Sequence, residues 1–294
     1  MEIQLLLAVG LGIALLLFLI LKLKIQAFLA LLIVCIFVGI LAGMPAGDIM
    51  ETMKEGMGST LGFVATVVGL GALFGGILEQ SGGAKALASF ILKKTGEKNA
   101  PWAMMITGFI VAIPVFFDVA FIILVPITYA LSKKTGKSLI LYAIPLLAGL
   151  AITHCFIPPT PGPIAVADIL GADLGWVILF GFAAGIPAAI LSGPLFARLL
   201  TKSLYVAPKS FTEDSAPEDQ MPSAKMITAI IFVPIFLIVL NTLMASPLVD
   251  ASDFPNWINY MVDLLGHPFT ALIIANLLAW YFLGVKRGVT KDKL

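Results

Sequence analysis

Long apolar runs separated by short polar connections organise the chain. Residues 3–21, 25–43, 59–78, 138–167, 174–197, 226–249 and 268–285 contain no Asp, Glu, Lys or Arg. Each approaches the roughly 20 residues that a helix needs to cross hydrocarbon. An eighth run, Pro101–Ser132, carries a single formal charge, Asp118, and is interrupted by Pro114 and Pro126. The pattern predicts an all-α polytopic membrane protein.

Composition agrees. Hydrophobic residues make up 60% of the chain and charged residues 12%, more apolar surface than a soluble fold covers. The net charge of +1 gives no basic field for nucleic acid. The first run follows Met1-Glu2 with no basic n-region or small-residue cleavage site, so it reads as a retained helix. Cys35 and Cys155 lie in apolar runs and suggest neither a disulfide framework nor a metal site. No HExxH pair, GxSxG elbow or paired intramembrane aspartates appear, so neither an enzyme nor a cofactor is expected.

Basic residues set orientation. Lys22 and Lys24, then Lys85, Lys93, Lys94 and Lys98, fall in alternate connections and are assigned to the cytoplasm, which places the N-terminus outside. The connection between, 44–58, carries Asp48, Glu51, Lys54 and Glu55. Ala84–Lys94 sets Leu87, Phe90 and Ile91 against Lys85, Lys93 and Lys94, a pattern for a short interfacial helix.

The run 101–132 begins after one lysine-rich connection and ends at another, Lys133-Lys134-Thr135-Gly136-Lys137. A single crossing would strand these lysines outside. Two arms of about 13 residues around Val115–Asp118 are too short to span separately at 1.5 Å per residue, so a re-entrant hairpin with Asp118 near its tip is expected. The competing reading is one long tilted helix kinked at Pro114. Residues 138–170 then form a broken helix, interrupted at 153–163 and resuming over Pro163–Leu170; the alternative is that the proline-rich stretch is an extracellular loop. Span 174–197 returns to Arg198 and Lys202.

Residues 201–225, with Pro208, Pro217, Pro222, Glu213, Asp214, Glu218 and Asp219, read as a flexible cytoplasmic linker. Spans 226–249 and 268–285 follow, separated by a loop holding Asp250, Asp253 and Asp263, and the second returns to Lys286-Arg287. A first repeat over 1–200 thus begins outside and a second, over 226–294, begins inside. That parity is what an inverted-topology repeat requires. The second repeat lacks counterparts of the hairpin and broken helix, so the chain reads as about two-thirds of a transporter.

Three stretches carry a family resemblance: Gly69–Gly83, with Gly71, Gly75, Gly76, Glu79 and Gln80; Pro114-Val115-Phe116-Phe117-Asp118-Val119-Ala120-Phe121; and His154-Cys155-Phe156-Ile157-Pro158-Pro159-Thr160-Pro161-Gly162-Pro163. Gly266-His267-Pro268-Phe269 and Trp280 to Gly288 add to it. The chain resembles the gluconate permease family, proton symporters for gluconate and related sugar acids that include D-serine permeases. The resemblance implies an ion-transporter-type fold, a bacterial inner-membrane location, a small anionic substrate and a coupled proton. It also implies that the C-terminal third is missing, so a transport-incompetent fragment needing a separate C-terminal half is the alternative, and a homodimer is a further expected assembly. Residue spacing alone leaves sodium open as coupling ion, and does not select among gluconate, other aldonates, fructuronate and D-serine.

No lysine or arginine lies in any span, so an anion must be held by other donors. Half-helix N-termini after Phe117 and at Pro163 present free N–H groups and a favourable dipole. Thr160 and Gly162, with Pro159, allow close backbone approach and a hydroxyl contact. Asp118 has two compatible readings, an N-cap of the second arm and a proton site whose burial favours the neutral form. His154, beside Thr153, reads as coupling group, substrate donor or satisfied structural donor. Glu79 with Gln80 reads as a solvated helix end. Gly71 and Gly75 read as close helix packing, and Asn241 and Thr242 as path-lining or interhelical groups.

Overall fold

The computed structural model describes residues 2–208, 222–247, 249 and 254–287. Pro217 and the acids of the expected linker (Glu213, Asp214, Glu218, Asp219), as well as Asp250, Asp253 and Gly288, lie outside the described residues. The described secondary structure is helical: α1 (Glu2–Leu17), α2 (Ala27–Leu41), α3 (Ala46–Gln80), α4 (Gly83–Thr95), α5 (Ala100–Val111), α6 (Phe117–Thr135), α7 (Ile140–Phe156), α8 (Pro161–Leu170), α9 (Leu174–Ile190), α10 (Phe196–Leu200), α11 (Ala224–Met244), α12 (Asn256–Gly266) and α13 (Pro268–Ala279). Among the described residues, six helical segments are long and apolar enough to cross a membrane. The chain is an all-α polytopic membrane protein.

The chain divides into two compact units, 1–63 and 64–294. In the first, α1 and α2 form an antiparallel pair. Gln4 Nε2 at the start of α1 donates to the Leu41 carbonyl at the end of α2, 3.0 Å away. Gly12 receives Val38, and the space where Gly39 would carry a Cβ lies 2.8 Å from Ile49 Cγ1. Small residues let membrane helices approach closely where apolar burial gives no advantage over lipid. α3 begins at Ala46, so the charged stretch Asp48–Glu55 is helical. Glu51 and Lys54 pair along it at 2.8 Å, and no proline stops it.

The second unit contains the core. Its closest helix pair is α5 with α7. The vacant Cβ position of Gly108 lies 2.6 Å from the Leu146 carbonyl oxygen, and Gly149 is set against the Met105 carbonyl. Met105 opposite Gly149, and Phe109 bonded to Thr153, keep one sequence offset, so α5 and α7 run parallel. α9 returns antiparallel along α7: Gly181 meets the Phe156 carbonyl and Gly185 meets Ile152, and in the helical turn just after α9 Gly193 meets Pro145.

Between the parallel α5 and α7 the chain must go out and come back. It breaks over Ala112–Phe116 and α6 returns. Glu97, just before α5, and Lys134, at the end of α6, form an ion pair at 2.5 Å, so the two ends of this segment are side by side. α6 is longer than the 13-residue arm read from sequence, at 19 residues. The polar end Ser132–Thr135 winds on as helix until Gly136 at φ 68° terminates it, a conformation that suits glycine. α4 is not a free surface helix: Ala84, Leu87, Ala88 and Ile91 are buried, and it packs on α5, α6 and α11.

α11 joins this core through Ile227, Ile230 and Ile231. Asp173 caps α9 by accepting from the Gly175 and Trp176 amides at 2.9 and 3.1 Å, and also accepts from Thr242 Oγ1 on α11 at 2.6 Å. Thr242 is thus an interhelical tie. The loop expected between the last two spans contains α12, and Gly266 at its end seats Asn241. After α10, Val206 folds back to the start of α7: its amide donates to Ser138 Oγ at 3.0 Å and its carbonyl accepts from Leu139 N at 2.9 Å.

Candidate functional site at two helix breaks

Both interruptions rest on one helix. The vacant Cβ position of Gly75 on α3 is 2.6 Å from the Pro114 carbonyl oxygen and 3.3 Å from Val115 Cα. Four residues earlier, that of Gly71 is 3.9 Å from the Pro159 carbonyl oxygen. Residues four apart lie on the same helix face one turn along, so the pair forms a strip against which the first and second breaks pack. Packing was the reading of these glycines from sequence; what they pack against is non-helical backbone.

The first break ends in Phe116, extended at φ −57° and ψ 145°, followed by α6. Proline at 114 lacks an N–H and biases the preceding residue away from helix. Phe117 is half-buried and stacks on Phe121 with ring centroids 6.4 Å apart. Asp118 is exposed in the first turn of α6, and among the described residues it makes no hydrogen bond or ion pair. The N-cap role is therefore corrected, and so is the burial expected to favour a neutral carboxyl. The cap position falls on Phe116 and no side chain bonds the first turn, which leaves the helix N-terminus with open N–H groups beside a free carboxylate.

The second break follows α7. Thr153 is fully buried and its Oγ1 donates to the Phe109 carbonyl at 2.9 Å. That carbonyl ends α5, where the amide four residues on, Ile113 N, bonds Ile110 instead. Thr153 thus satisfies an otherwise orphaned acceptor, a structural task that ties one break to the other. His154 is half-buried; its ring meets Phe116 edge-on at 6.4 Å, and its Nδ1 is buried with no partner among the described residues.

Pro158-Pro159 is a cis peptide. Thr160 is buried and its Oγ1 donates backward to the Ile157 carbonyl at 2.8 Å, so it holds the turn and leaves the start of α8 uncapped. Pro161 and Pro163 occupy the first turn of α8, where a missing N–H costs nothing. Gly162 is exposed with open space at its Cβ position. A groove of about 800 Å³ runs from His154 past Gly162 and Val166 to Asp173 and Trp176.

The structure therefore brings Phe116, His154, Pro159 and the start of α8 into one neighbourhood through α3 and α5, while Thr153 and Thr160 are committed to backbone carbonyls. The described residues contain no cluster of His, Cys, Asp and Glu able to hold a metal ion. One residue near the breaks escaped the reading from sequence. Asn276, in the apolar α13, donates from Nδ2 to the Leu70 carbonyl of α3 at 3.0 Å, one residue before Gly71. The signal available was a lone amide within a spanning run, the kind of residue that is costly there.

The family profile described as GntP family permease matches residues 4–294. The chain belongs to this family. GntP family members are transport proteins, not enzymes. The chain is 38% identical over 270 residues to the "Low-affinity gluconate transporter" of Escherichia coli (strain K12), covering 92% of this chain and 60% of that protein. It is 37% identical to the "Gluconate permease" of Pseudomonas aeruginosa, covering 91% and 59%. It is 34% identical to the "Gnt-II system L-idonate transporter" of E. coli K12, covering 92% and 61%. The GntP chain described here thus spans about 60% of the length of these relatives. No solved structure matches it.

Proposed function

We propose that the chain serves proton-coupled uptake of gluconate or a related sugar acid across the bacterial inner membrane. The observation that carries the reading is the pair of breaks packed one turn apart on the Gly71–Gly75 strip, each opening into an uncapped helix N-terminus. The names of the relatives include gluconate and L-idonate, both a carboxylate attached to a polyol. With no lysine or arginine in the apolar runs, the carboxylate is held by the open first-turn N–H groups of α6, the Gly162 amide of α8 and the dipoles of both helices. The hydroxyls meet His154 and the backbone around Gly162.

Asp118 then supplies the coupling. Ionised, it occupies the positive end of α6 and repels a second carboxylate; protonated, it leaves that end to the substrate. A proton therefore travels with the anion. The same reading makes residues 101–132 a re-entrant hairpin, supported by the Glu97–Lys134 pair and the parallel run of α5 and α7.

The test is uptake of labelled gluconate into liposomes containing the purified chain under an imposed inward proton gradient, with Asp118→Asn alongside. The variant should retain gluconate binding and lose uphill accumulation. Full gradient-driven accumulation by Asp118→Asn would overturn the coupling role, and a wild-type chain that does not bind gluconate would overturn the substrate. A second reading, that the chain transports only with a second copy or a separately supplied C-terminal half, is favoured by the exposed position of Asp118 and Gly162. Uptake that appears only when such a partner is added would support it.

A further inference from the structure

Asn276 carries a side-chain oxygen with no hydrogen-bond partner among the described residues. The side chain is 7% exposed, among the buried Leu272, Ala275 and Ala279 of α13. Nδ2 donates to two carbonyl oxygens, Leu70 at 3.0 Å and Leu272 at 2.9 Å. Turning the amide over would set Oδ1 against both carbonyls, so its orientation is fixed by chemistry. Oδ1 is then buried with no donor among the described residues.

The bond to Leu70 ties α13 to α3, as polar side chains do between membrane helices, but it leaves Oδ1 unused. Both accepted carbonyls lie inside helices whose own ladders already use them, and a buried amide with an unpaired oxygen is worse than an apolar side chain of its size. A leucine would fill the place at no such cost. Location supplies the reason, because the Leu70 carbonyl precedes Gly71, which abuts Pro159. Through Leu70 the amide is anchored one residue along α3 from Gly71, on which the second break packs, and its free valence is an acceptor.

We propose that Asn276 is a specificity-determining residue whose Oδ1 accepts a hydrogen bond from a hydroxyl of the substrate's polyol chain, with Nδ2 holding the amide in place. This rests on the sugar-acid reading above. An acceptor fixed from behind distinguishes a hydroxylated acid from an aliphatic one of equal length, because only the former satisfies it. A helix dipole holds either carboxylate equally, so discrimination must come from such a group.

The experiment measures equilibrium binding of gluconate, its monodeoxy analogues and hexanoate to the purified full chain in detergent, for wild type, Asn276→Leu and Asn276→Ala. The alanine variant extends the small-residue face of Ala275 and Ala279, so it keeps a folded protein in hand if leucine overpacks. Gluconate affinity should fall by roughly 5- to 150-fold in the variants, with hexanoate unchanged or tighter. One deoxy analogue should bind wild type more weakly than gluconate does and lose that handicap in the variants. An equal change for gluconate and hexanoate, or no change, overturns the assignment to Asn276 and leaves the sugar-acid reading standing. Wild type that binds no gluconate overturns both.

Discussion

Gly75→Ala and Gly76→Ala place the same methyl group on adjacent positions of α3 and should have opposite effects. Both variants gain the same helix propensity, about 1 kcal/mol for alanine over glycine. At Gly76 the new Cβ meets nothing within 4 Å, so that gain stands alone. At Gly75 it meets the Pro114 carbonyl oxygen at 2.6 Å and Val115 Cα at 3.3 Å. Both are backbone, so no rotamer change relieves the overlap. Restoring a 3.4 Å contact moves the break by about 0.8 Å, and overpacking of this kind costs about 1–3 kcal/mol. Because propensity is common to both variants, their difference isolates the clash: Gly75→Ala should be about 1–3 kcal/mol less stable than Gly76→Ala. Reversible unfolding in mixed micelles reads this directly. Gluconate binding should weaken in Gly75→Ala alone, since the shift falls on the segment leading into Phe117. Equal stability of the two variants would refute the packing of the first break on α3.

Thr153→Val removes the donor to the Phe109 carbonyl while keeping shape, and should cost about 1–3 kcal/mol in unfolding measurements as that buried acceptor is orphaned. Thr242→Val should cost a comparable amount, about 1.5–3 kcal/mol for a bond to a carboxylate; Asp173→Ala in the Thr242→Val background should then add the loss of the cap, about 0.5–2 kcal/mol. A double-mutant cycle on Glu97 and Lys134, both more than half exposed, should give a coupling of about 0.2–1 kcal/mol. Single cysteines at the same two positions, with Cys35 and Cys155 replaced by serine, should label from one face of the membrane with an impermeant reagent. Labelling from opposite faces would exclude the re-entrant path.

Apolar run length and proline position made the all-helical membrane class legible, and the helices do stop beside Pro114 and Pro158. Helix in polar connections was not legible. Asp48–Glu55 has the charge density of a loop, yet Glu51 and Lys54 pair along a helix face and nothing breaks it. α12 was hidden by the acids and by Pro255, which in fact stands at its N-cap. For the candidate site, residue type indicated polar groups near the breaks but not their partners. Thr153 and Thr160 look like ligand donors in sequence; in space each meets a carbonyl that helix geometry leaves unpaired. Asn276 was invisible for the opposite reason, because its neighbours in sequence are apolar and its link to α3 spans over 200 residues.

The glycines explain why the breaks can meet without charge. A broken helix in hydrocarbon has unpaired carbonyls and amides, and lipid offers them nothing. In the second unit two kinds of group manage this cost. Glycines on α3, α5 and α7 let backbone approach backbone, as Gly75 does at Pro114 and Gly108 at Leu146, excluding lipid from the interrupted segments. Threonine hydroxyls then take up acceptors, as Thr153 does at Phe109. Among the described residues the buried side-chain atoms left without a partner are Thr107 Oγ1, His154 Nδ1, Asn241 Oδ1 and Asn276 Oδ1. Of these, His154 Nδ1 and Asn276 Oδ1 join the open first-turn amides of α6 and the Gly162 amide of α8 on the side of the breaks. Donors suited to a carboxylate and an acceptor suited to a hydroxyl are what a sugar acid requires. If the leftover groups were mere packing defects, replacing Asn276 with leucine would stabilise the chain and leave its ligand preference untouched.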